Sequence, residues 1–198
     1  YAFTISAFIE LYRCTFDENW LKKAAALTDY TLEHFFDKQS GMFFYTHDQH
    51  ANLIVRKKEI SDNVIPSSNS EMAKNLFQLG TNFYREDLLK VSRQMLGVVR
   101  EDIHKNPYYF SNWAMLEANM AHTPFEVVIL GDDVDTLRQA FSQQYLPDVI
   151  LSGGSREGDL DLHRGKYAAG ETKIYVCRDR VCKLPVRNFQ EALDQITK

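Results

Sequence analysis

From residue 1 to about 121 the apolar positions of this chain return at helical spacing. Ile5, Phe8, Ile9 and Tyr12 make a first stripe, broadened by Leu11. Asp17 is placed to cap a second helix, in which Trp20, Ala24, Leu27, Thr31 and Phe35 share a face. A third helix is predicted over Ser67 to Leu79, carrying Met72, Ala73, Leu76 and Phe77, with Gly80 as its C-cap. Ser68 and Glu71 have the spacing of a capping box at its start. Leu88, Val91, Met95, Val99 and Ile103 define a fourth helix from about Arg85 to His104. Asn106-Pro107 opens a fifth, where Trp113, Leu116 and Met120 align.

Short connections make successive helices antiparallel neighbours. One connection is long, about thirty residues between Asp37 and Pro66. It opens with Gly41-Met42-Phe43-Phe44-Tyr45-Thr46, which reads as a strand, with Asn52 to Ile60 as its expected partner. Loops of this length in compact domains are usually functional or disordered, and this one is too aromatic for disorder.

Near Thr123-Pro124 the period changes. Phe125 to Gly131 is a buried-strand pattern, Asp132 or Asp133 caps a helix to about Tyr145, and Asp148 to Ser152 is a second strand. This β-α-β unit implies a parallel pair. Residues 153 to 172 read as surface loop, with Ser152-Gly153-Gly154-Ser155 a flexible turn that lacks the lysine and helix of a phosphate loop. A hairpin of 173–177 with 181–184 and a helix from Asn188 to Ile196 complete the pattern. The expected division is therefore 1–122, mainly α with an inserted β-hairpin loop at 41–62, and 123–198, a small α/β unit.

Composition narrows the function. A net charge of -4 and a pI near 5.9 leave no basic surplus for nucleic acid or an anionic membrane. No apolar run approaches the roughly 20 residues that span a bilayer. The chain shows no secretory leader and opens without methionine, as a fragment of a larger protein would, and a cytoplasmic location is expected. Cys14 falls on an apolar helix and is expected to be buried. Cys177 and Cys182 face each other if Asp179-Arg180 is a two-residue turn, which allows a cross-strand disulfide or redox pair; a reducing compartment would keep two thiols.

The most informative stretch is Asp62-Asn63-Val64-Ile65-Pro66-Ser67-Ser68-Asn69-Ser70-Glu71, which rings a helix N-terminus with a carboxylate, amides and hydroxyls. Such an end suits a polyhydroxylated or anionic ligand, and the same residues suit plain capping. Asp62 and Glu59 are the candidate acid and base for work on a glycosidic bond. Asn69, Ser70, Ser67 and Arg56 are candidate ligand contacts, Tyr45 a candidate stacking surface, and His47 a candidate proton carrier. His47, Asp48 and His50 match no standard zinc spacing, so neither metal nor cofactor is expected.

An ordered set of motifs along the whole chain resembles a known family. They are Tyr1-Ala2-Phe3, Gly41-Met42-Phe43-Phe44, Arg56-Lys57-Lys58-Glu59, Asp62 through Ser70, Glu126 through Gly131, Tyr145-Leu146-Pro147, Tyr175-Val176-Cys177 and Cys182-Lys183-Leu184-Pro185-Val186. The chain is similar to the C-terminal part of the thioredoxin-domain proteins that include the spermatogenesis-associated protein 20 family. That family has glycine where this chain has Asn63 and Ser68, so no role needing bare backbone carries over there. The resemblance implies a partial (α/α) toroid of the six-hairpin glycosidase and sugar-epimerase type, with a sugar ligand at the mouth near Asp62. It further implies a thioredoxin-like domain and the remaining toroid helices as partners within the same protein. The alternative is a non-catalytic scaffold for that redox domain, communicating through Cys177 and Cys182.

Overall fold

A computed structural model describes residues 1–49 and 54–197. Among them the chain is mainly α, with a small α/β part. It divides into two compact units, one of Tyr1–Ile9, Trp20–Thr81 and Arg85–Ala118, the other of Glu10–Asn19, Asn82–Tyr84 and Asn119–Lys198. Nothing in the composition change near Thr123 announces that the second unit takes in residues 10–19 and 82–84.

The first unit holds the start of α1 (Ala2–Thr15), α2 (Glu18–His34), the strand pair β1 (Phe36–Asp37) and β2 (Met42–Phe43), and the helices α3 (Ser68–Asn82), α4 (Glu86–Lys105) and α5 (Ser111–Ala121). Helix α2 is capped as expected, Asp17 Oδ1 accepting from Asn19 N–H at 3.0 Å. Its buried face runs through Leu21, Ala24, Thr28 and Thr31, leaving Trp20 and Leu27 at the edges. Helix α3 is buried almost all round, which makes it the centre of this unit. Met72, Ala73, Leu76 and Leu79 from α3 share the core with Ile5, Ile9, Leu88, Met95, Trp113 and Leu116. Ser92 Oγ of α4 donates to Ala73 O of α3 at 2.6 Å, so a small polar residue lets the two helices approach.

Three expectations for this unit change. Helix α3 runs through Gly80, which is not its cap. A Cβ there would lie 2.7 Å from Leu89 Cδ2, so the glycine admits α4. The helix closes later, with Tyr84 at φ 50° and Arg85 N–H donating to Gly80 O at 3.0 Å. The strand at Met42–Phe43 pairs with Phe36–Asp37, and the described part of its expected partner, 54–60, forms no strand. Among the described residues of 41–62, Met42–Phe43 is the one strand. The backbone link from 45 to 57 is Tyr45 N–H to Lys57 O at 2.7 Å, and Asn52 lies outside the described residues. Asn106-Pro107 feeds a separate 3-10 turn, Pro107–Tyr109, and α5 begins only at Ser111.

The second unit is built on a four-stranded sheet in the order β4-β3-β5-β6. Strand β3 (Phe125–Leu130) is wholly buried between parallel β4 (Val149–Gly154) and antiparallel β5 (Lys173–Arg178), which explains its unbroken apolar run. Helix α6 (Val134–Ser142) makes the β3-to-β4 crossover, and α7 (Phe189–Thr197) packs on β5 and meets α6 through the Phe141 and Phe189 rings, 4.9 Å apart. Strand β6 (Val181–Cys182) closes on β5 through Asp179 and Arg180, both at positive φ (51° and 66°), a two-residue turn matched to strand twist.

Four further expectations change here. Ser152-Gly153-Gly154 belongs to strand β4 and is no flexible turn. The 153–172 segment is partly interior, since Leu160, Leu162 and His163 are buried around a 3-10 turn at Asp161–His163. Cys177 and Cys182, opposed across the hairpin, form a disulfide rather than two thiols. Cys14 is exposed and free, because it lies on the outer side of α1, away from the buried positions Ile5, Ile9 and Tyr12.

Candidate functional site

The chain from Phe43 to Asn112 converges on the N-terminus of α3. Asp62 is 3% exposed. Its Oδ1 accepts from Ser67 N–H (2.9 Å) and Ser70 Oγ (2.7 Å), and its Oδ2 accepts from Asn112 N–H (2.8 Å). One carboxylate thus serves the first turns of both α3 and α5, where partial positive charge favours an anion. Ser67 is the capping residue, its Oγ accepting from Ser70 N–H at 3.0 Å and donating to Ile60 O at 2.8 Å. The expected capping box is displaced by one residue. Ser68 instead gives its N–H to Glu59 Oε2 at 3.2 Å, and Glu71 turns inward to accept from Ser6 Oγ (2.6 Å) and Asn112 Nδ2 (3.0 Å).

Asn69 works as a strand partner in side-chain form. Its Oδ1 accepts from Phe43 N–H at 2.7 Å, while Nδ2 donates to Phe43 O (2.9 Å) and Glu59 O (2.8 Å). A buried amide with this satisfaction fixes two separate loop segments against α3. Trp113 Nε1 donates to Ile60 O at 2.8 Å and holds the intervening stretch.

Over this framework lies a cavity of about 500 Å³, lined by Tyr1, Ala2, Phe3, Thr31, Phe35, Phe43, Phe44, Tyr45, Glu59, Ile65, Ser68 and Met72. Of the two carboxylates read as an acid and base, Glu59 lines it and Asp62 does not. Tyr45, 66% exposed, lies on its wall. Asn69, Ser70 and Ser67 are buried in the framework beneath, with their polar atoms engaged by protein. Arg56 also serves the framework: its Nη2 donates to Thr46 O at 2.5 Å, and its guanidinium covers the Phe44 ring at 4.0 Å. Lys58 covers the same ring at 4.4 Å and reaches Asp37 Oδ2 at 2.6 Å; that ammonium, with Ser40 Oγ, holds the Asp37 carboxyl well below its usual range. His47 stands off the cavity against His34 and Asp48. Sequence reasoning missed Asn112 and the inward role of Glu71, whose partners come from other helices.

The second unit has a cavity of about 450 Å³ lined by Arg13, Cys14, Arg138, Tyr145 and Leu146 among others. Its interior also places Ser152 Oγ 2.8 Å from His163 Nε2, with Glu18 Oε1 3.5 Å from His163 Nδ1. Those are the residue types of a nucleophile, base and orienter. Ser152 and His163 are completely buried, and Tyr12 Oη takes the remaining side of Ser152 at 2.6 Å. Burial pushes the Tyr12 phenol above its ordinary pKa, so it stays a neutral donor in a closed polar core.

Fold and framework describe a mainly α chain with a small α/β part, related along its length to much longer proteins. Those relatives are the spermatogenesis-associated protein 20 group, as the motifs implied. The chain is 26% identical over 198 residues to human spermatogenesis-associated protein 20, a match covering 94% of this chain and 25% of that protein. Its mouse counterpart is 25% identical over the same shares. An uncharacterised protein of Caenorhabditis elegans is 23% identical, covering 100% of this chain and 28% of that protein. The chain thus spans about a quarter of the length of the curated relatives it matches. No protein-family model matches the chain.

Proposed function

We propose that the chain supplies one wall of a carbohydrate site, as part of a six-hairpin glycosidase-like toroid completed by the rest of a longer protein. The observation that carries this reading is the cavity above α3, where exposed aromatic rings stand beside Glu59, the single carboxylate among the described lining residues. Sugar rings present apolar faces to aromatics and hydroxyls to carboxylates, so Tyr45 would stack while Glu59 orients. Asp62, Asn69 and Ser67 would serve the site indirectly, by holding the Glu59 backbone and the α3 terminus. Hydrolysis by a carboxylate pair needs a second acid facing the cavity, which in this reading comes from outside the chain.

Calorimetric titration of the full-length protein with mono- and oligosaccharides tests this. Binding that falls at least about tenfold in both Glu59→Gln and Tyr45→Ala supports it, since a well-made polar or stacking contact is worth about 1.4 kcal/mol or more. Binding indifferent to both changes removes the site from this cavity.

A second reading is a scaffold for a thioredoxin-like domain. The disulfide favours it, because Cys182 is exposed while Cys177 is buried, which leaves one sulfur open to attack by a partner thiolate. Free-thiol titration after incubation with reduced thioredoxin-like domain checks it; a count unchanged from the untreated protein makes the bridge structural.

A further inference from the structure

We propose that His34, His47 and Asp48 form a binding site for a divalent transition-metal ion of the zinc type. His34 is the last residue of α2, and His47 and Asp48 follow the β1–β2 hairpin, so the fold joins two separate segments. The two imidazole rings stack with centroids 4.5 Å apart and planes at 21°. Both Nδ1 atoms face one oxygen: Asp48 Oδ1 is 3.3 Å from His34 Nδ1 and 2.9 Å from His47 Nδ1. One ligand atom from each residue falls within 4.8 Å of the other two, an arrangement found once among the described residues.

Lone-pair accounting points to a cation. Gln49 N–H donates to His47 Nδ1 at 3.0 Å, so that nitrogen is the unprotonated one and Nε2 carries the proton toward Tyr30 Oη, 2.9 Å away; an ion would take the Nδ1 lone pair in place of the Gln49 N–H. The Asp48 carboxylate only accepts. His34 Nδ1 is buried and makes no hydrogen bond. A positive centre among these three atoms would engage the Asp48 carboxylate and the buried His34 nitrogen together. A tetrahedral ion about 2.0–2.1 Å from each ligand atom sets ligand pairs about 3.3 Å apart, the spacing seen between His34 and Asp48.

Two imidazoles with one carboxylate suit zinc or a neighbouring transition ion, and are a poor set for calcium or magnesium, which take oxygen. The outer contacts agree. Tyr30 Oη orients His47 from behind, and Glu33 Oε2 lies 3.9 Å from His34 Nε2, where it can strengthen that ring as a ligand. Spacing within the loop could not reveal the set, because one ligand comes from the preceding helix.

The test uses the chain freed of metal with a chelator and titrated calorimetrically with zinc chloride, then with cobalt(II) followed by visible absorption. One equivalent is expected to bind, with cobalt bands of nitrogen and oxygen ligation. His34→Gln, His47→Gln and Asp48→Asn should each weaken binding at least about tenfold, while His104→Gln at the exposed end of α4 leaves it unchanged. Circular dichroism of each variant confirms intact helices, and zinc should raise the melting temperature of the wild type but not of the three variants. The proposal falls if the wild type takes up no zinc, if uptake survives His34→Gln and His47→Gln, or if cobalt gives the charge-transfer band of a thiolate, which would put the ion on Cys14.

Discussion

A buried carboxylate needs no counter-cation when enough donors carry its charge away, and Asp62 meets that condition with two backbone N–H groups and a hydroxyl. Asp62→Ala would strand the two backbone N–H donors in the interior, while Ser70 Oγ keeps Ser67 O at 3.0 Å as an acceptor. Hydrogen bonds to a charged group are worth about 1.5–3 kcal/mol each, so the variant should lose about 3 kcal/mol or more in urea unfolding, with Asp62→Asn losing less. Loss of sugar binding in this variant would come with loss of stability, which separates it from Glu59→Gln. Glu126 is the opposite case. It is buried in β3, its Oε2 makes no hydrogen bond, and burial raises its pKa above the ordinary value even though the Arg180 N–H and the Lys166 charge pull it down. The folded state therefore holds this proton more tightly than the unfolded chain. Its stabilising contribution is whole below the ordinary value and is lost as pH climbs through the raised one. Glu126→Gln should flatten that part of the profile, so the variant gains on the wild type between acid and neutral pH when their unfolding midpoints are compared.

At the scale of elements, periodicity identified the helices and β3 because each presents a continuous buried face. It failed where a neighbour sets the boundary. Gly80 reads as a stop, yet it is a gap into which Leu89 fits. The strand at Met42 was legible, but its partner was not, because a two-residue pairing carries almost no pattern. Ser67 and Asp62 fall at a helix start as read, whereas the role of Asp62 depends on Asn112, fifty residues further along. Gly131, at φ 137°, ends β3 where a Cβ would lie 2.5 Å from Thr172 Cα and 2.6 Å from Glu171 O. Backbone on both counts cannot yield as a side chain does. Gly131→Ala should cost about 2 kcal/mol or more, seen as a lower melting temperature with the helical signal of the native state unchanged.

At the scale of the whole molecule, each unit keeps its own polar network. No helix of the described residues is long and apolar enough to cross a membrane. The first unit gathers its network at one end of α3 and places a cavity above it. The second buries Tyr12, Ser152 and His163 in a closed core. A sugar titration and a zinc titration probe different residues of the first unit, so one can fail while the other succeeds. The shared carboxylate under α3 has a consequence for folding. Neither helix start can be finished until residue 62 has arrived between them, so both first turns belong to one cooperative step. Amide protection at Ser67 and Asn112 should then appear and vanish together, although the two sit in different helices far apart along the chain.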